Sequence, residues 1–135
     1  MAQELFFLYN SCAMDNYTIE EIRKLFAGDS YKTDTSHLPP SAKKNITGKL
    51  SFMKTLSFYR KFLKVITDAR KLAVKGEYTP EQLIISSFRV LRDIENTGCR
   101  FEIRGLDNLR KEEGAVVIAA NHMSTLETAI FPCVV

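Results

Sequence analysis

The sequence predicts an α/β chain, with amphipathic helices first and the opening strands of an α/β domain after them. Three observations carry this expectation. Residues 49–75 repeat apolar side chains at three- and four-residue steps, the period of a helix with a buried stripe. Tyr78, Thr79, Pro80, Glu81 and Gln82 form the start signal of a second helix. Near the C-terminal end, Cys99 to Arg104 alternates as a half-buried strand, and Ala115 to Ala120 is a short, wholly apolar run that reads as a buried strand.

In chain order, residues 1–45 read as an N-terminal extension with a short helix and a loop. Thr18 and Glu21 have capping-box spacing, Ile19, Ile22, Leu25 and Phe26 share one face, and Gly28 supplies a stop. A helix this short must dock on something to be stable. Residues 28–46 are rich in Asp, Ser and Pro and predict a loop, so His37 is expected to be a solvated loop histidine.

Residues 46–97 hold the two amphipathic helices. In the first, Phe52, Met53, Leu56, Tyr59, Phe62, Leu63, Ile66, Ala69 and Ala73 are expected to form one apolar stripe ending at Gly76. In the second, Thr79 is the N-cap, with Gln82 completing a capping box. Leu83, Ile84, Phe88, Leu91 and Ile94 form the buried stripe, Arg89, Arg92 and Asp93 the solvent face, and Gly98 the stop.

Charge is distributed unevenly. Residues 43–75 hold ten Lys and Arg against Asp68 alone, a net +9, which leaves −6 for the rest of a chain whose total is +3. A basic, aromatic-bearing amphipathic helix has three readings: it lies on an anionic membrane, binds nucleic-acid phosphates, or packs against the protein with a solvated basic face. No stretch approaches the ~18 uninterrupted apolar residues of a spanning helix. The first residues lack a basic region and do not read as a signal peptide, so a cytoplasmic location is expected by default. The three cysteines, Cys12, Cys99 and Cys133, are scattered and odd in number, which argues against a disulfide framework. With only His37 and His122, far apart, no metal site is expected.

Residues 98–135 carry the chemistry. In open α/β sheets ligands bind at the carboxyl ends of strands, where Asn121 and His122 would stand, and Glu127 follows His122 after four residues. A histidine with a carboxylate in reach is the minimal equipment for general-base catalysis. A strand-end histidine satisfied by a backbone carbonyl, with Glu127 a solvated acid in a helix's first turn, is the purely structural alternative.

The run Asn121, His122, Met123, Ser124, Thr125, Leu126, Glu127 resembles the first motif of the glycerophospholipid acyltransferases of the lysophosphatidic-acid type: a histidine, four residues, then an acid, introduced by Asn-His-x-Ser. Phe101 to Leu109 is similar to the family's lead-in of strand, glycine and loop, so the resemblance covers roughly residues 98–132. It implies that residues 98–135 begin an acyltransferase α/β domain. It implies transfer of a fatty acyl group from acyl-CoA or acyl-carrier protein to a lysophospholipid or glycerol-phosphate hydroxyl. His122 would be the general base and Glu127 its orienting partner, with no cofactor and no acyl-enzyme. Glu127 is one methylene longer than the family's commoner aspartate. Asn121 and Ser124 would bind substrate or shape the turn, with Ser124 a helix cap rather than a nucleophile.

The resemblance also favours the membrane reading of the basic helix, with Lys54, Tyr59, Arg60, Lys61, Phe62 and Lys64 as contacts, a peripheral place on the inner membrane face, and no nucleic-acid partner. The family's later glycine-and-arginine and Phe-Pro-Glu-Gly-type motifs do not occur, and the chain stops in the apolar stretch Thr128 to Val135. The expectation is therefore the N-terminal part of a longer enzyme, nearly inactive alone. The rival expectation is a non-enzymatic module that binds a membrane surface or a partner through its helices.

Overall fold

The computed structural model describes residues 17–36, 38, 49–119, 121 and 125–135. Their element order is α1 (Ile19–Leu25), β1 (Ser30–Lys32), α2 (Lys49–Val74), α3 (Pro80–Thr97), β2 (Glu102–Arg104), α4 (Leu106–Arg110) and α5 (Thr125–Val134).

The start and stop signals act as their chemistry requires. Thr18 caps α1 reciprocally: its hydroxyl accepts from Glu21 N at 3.3 Å while Glu21 accepts from Thr18 N at 2.9 Å. Thr79 accepts from Gln82 N at 3.4 Å at the start of α3, with Pro80 in the first turn. Gly98 closes α3 in the left-handed region at φ 112°, a conformation a Cβ would penalise.

The core is built around α3, against which α1, α2 and α5 all pack. Phe88 and Leu91 are wholly buried, joined by Ile22, Phe26, Tyr31, Val90, Ile94, Leu106, Ile130 and Cys133. The Phe26 ring meets Phe88 edge-on at 6.2 Å, and Tyr17 meets the same ring at 4.7 Å. Leu83, expected in the buried stripe, is exposed. Arg92 and Asp93, expected on the solvent face, are drawn into packing by partners that periodicity does not show.

The α/β expectation is overturned. The chain is mostly helical, and its one sheet among the described residues has two strands, three residues each, paired antiparallel. Ser30 faces Arg104, Tyr31 faces Ile103 and Lys32 faces Glu102. Thr33 extends the ladder, its N–H donating to Phe101 O at 3.0 Å and its hydroxyl accepting from Phe101 N at 2.7 Å. β1 arises inside the segment expected to be loop.

The expected buried strand at 115–120 is corrected as well. Residues 115–119 carry no regular structure and are exposed, Val117 at 97%. A strand buried on both faces needs neighbours for its backbone groups and for both rows of side chains. β1 and β2 use each other, and no described strand lies beside 115–119. The loop expected after Gly105 holds α4. Its first N–H groups are met by the Asp29 segment: Leu106 N donates to Asp29 O at 3.0 Å and Asp107 N to Asp29 Oδ1 at 3.2 Å. Arg110 reaches back to the carbonyls of Phe26 and Gly28, tying α4 to the end of α1.

Candidate functional site

The run expected to carry the chemistry, Asn121 to Glu127, is described at Asn121 and from Thr125 onward. Asn121 is exposed in irregular chain, and Glu127 stands half-buried in the first turn of α5. The helix dipole favours an acid at that position. Ile130 and Cys133, three and six residues further on, are buried, and α5 packs along α3 through this face. Glu127 therefore sits on a helix that is held firmly. His122 and Ser124 lie outside the described residues, and with them the expected His122–Glu127 pairing and the Ser124 cap. Pro132 falls inside α5, two residues before its end.

The Cys133 thiol is pushed up to about 12 by burial, and its Sγ donates to Ile130 O at 3.1 Å, so it behaves as a core residue. Cys99 is exposed. Among the described residues no three His, Cys, Asp or Glu side chains gather into a metal site.

The second candidate region is the surface of α2. The sequence treats its apolar residues as one stripe; the structure divides them into two. Phe58, Phe62 and Val65 turn to the core, whereas Phe52, Leu56, Tyr59, Leu63 and Ile66 remain exposed at 46–70%. At 100° per residue the exposed set follows a strict 4-3-4-3 spacing, centred about 120° around the helix from the docked set. Arg60, Lys64 and Lys71 project about 100° from the exposed stripe on its other side, about 150° from the docked set.

The residues expected to contact a membrane are separated accordingly. Tyr59, Arg60 and Lys64 are exposed. Phe62 is half-buried against the core and stacks on Phe58 at 5.8 Å. Lys61 pairs with Asp93 of α3 at 3.3 Å, and Lys54 is half-buried. The exposed residues that expectation omitted, Phe52, Leu56, Leu63 and Ile66, were detectable as a second heptad spacing within the long run. None of the described helices is long and apolar enough to cross a membrane.

A third cluster is buried and polar. Glu95 is completely enclosed, accepting from Tyr31 Oη at 2.6 Å and pairing through Oε2 with Arg92 at 2.9 Å. The Arg92 guanidinium lies 5.0 Å over the Phe88 ring. The Tyr31 phenol is held far above its ordinary value, first by burial, then by its hydrogen bond to Glu95 and by that residue's charge. Tyr31 and Glu95 are buried and hydrogen-bonded, and Arg92 closes the cluster from its partly exposed side, which fastens β1 to α3.

No family model, curated protein or solved structure matches the chain.

Proposed function

We propose that this chain carries the acid–base pair of a membrane-associated glycerolipid O-acyltransferase, with His122 as general base and Glu127 as its orienting carboxylate. The observation that carries the reading is the run Asn121, His122, Met123, Ser124, with Glu127 five residues after His122. The placement of Glu127 in the first turn of α5 is consistent with it.

In the reaction, the acceptor hydroxyl oxygen attacks the thioester carbonyl carbon as His122 takes the hydroxyl proton. A carboxylate on the other ring nitrogen holds the tautomer and stabilises the imidazolium. The tetrahedral intermediate collapses by breaking the carbon–sulfur bond, and the departing thiolate takes up the proton. Asn121 and Ser124 shape the turn that presents the imidazole. The exposed apolar stripe of α2, edged by Arg60, Lys64 and Lys71, supports placement at an anionic bilayer, where lysolipid acceptors reside.

The test is release of free thiol from long-chain acyl-CoA with lysophosphatidic acid, by this chain and by any longer protein that contains it. Transfer by either, lowered about a hundredfold or more in His122→Ala with vesicle binding intact, is the expected result. No transfer across several acyl donors and lysolipids would sink the enzyme reading. The α2 surface also favours a second reading, a helical module that binds anionic membrane without catalysis. It predicts vesicle binding with no transfer by any form.

A further inference from the structure

We draw no further inference here: the strongest candidate, the exposed apolar stripe of α2 formed by Phe52, Leu56, Tyr59, Leu63 and Ile66, belongs to the surface already described for the membrane reading, and nothing in the structure shows what else covers it.

Discussion

Tyr31→Phe isolates a single hydroxyl in the buried cluster. The ring's packing on Phe26, 4.8 Å away, is retained, and only the donor to Glu95 Oε1 is removed. Glu95 is wholly enclosed, and a hydrogen bond to a charged group contributes about 1.5–3 kcal/mol. Taking about 2 kcal/mol, and about 2 kcal/mol per molar for the urea dependence, the unfolding midpoint should fall by about 1 M.

The pH arm is sharper. The folded state keeps the Tyr31 proton well above pH 10, because burial and Glu95 raise the phenol, while an unfolded tyrosine loses it near about 10. Above that pH the native state binds more protons than the unfolded one. The contribution is thus complete below about pH 10 and declines by up to about 1.4 kcal/mol per pH unit above it. The stability difference between the native sequence and Tyr31→Phe should therefore be flat through neutrality and shrink above pH 10. Cys133 titrates in both proteins and cancels in that difference. A loss below about 0.5 kcal/mol at pH 7, or a double-mutant cycle with Glu95→Gln showing no coupling, would refute the argument.

Two further outcomes follow from the same geometry. Phe62→Ala and Leu63→Glu are neighbours with opposite expected effects. The first, half-buried against the core, should cost about 2 kcal/mol, roughly half the penalty of a fully buried Phe, and leave binding to phosphatidylserine-containing vesicles intact. The second, on the exposed stripe, should change stability by no more than about 0.5 kcal/mol and abolish that binding; urea melts beside vesicle flotation check both. In a Cys12→Ser background at pH 8, a disulfide reagent should label Cys99 at once. Cys133, buried and pushed up to about 12, should be labelled only at the rate of unfolding.

Local chemistry was legible where a few neighbouring residues decide the outcome. Thr18 with Glu21, Thr79 with Pro80, and Gly98 predict helix ends that the structure has, because capping is settled within one turn. The long run at 49–75 was readable as a helix, and the run Asn121 to Glu127 stands out as a motif before any fold is known. Which side of a helix meets a neighbour is not decided within one turn. Arg92 looks like a surface residue by periodicity, and only the arrival of Tyr31 on β1 and the enclosure of Glu95 make it part of a buried network spanning 64 positions.

What the amino-acid sequence by itself determined was the positions of the helix caps, the amphipathic period of α2 and α3, the concentration of positive charge on α2, and the order of residues around His122. What only the tertiary structure decided was which apolar residues are used. It turned Phe58, Phe62 and Val65 inward on α2 while leaving Phe52, Leu56, Tyr59, Leu63 and Ile66 in solvent, and it paired β1 with β2 while leaving residues 115–119 outside any sheet. The physical reason is that periodicity records how apolar side chains are spaced along the chain. Burial depends on whether another surface covers them, and a strand's backbone is satisfied only by a second strand distant in the sequence.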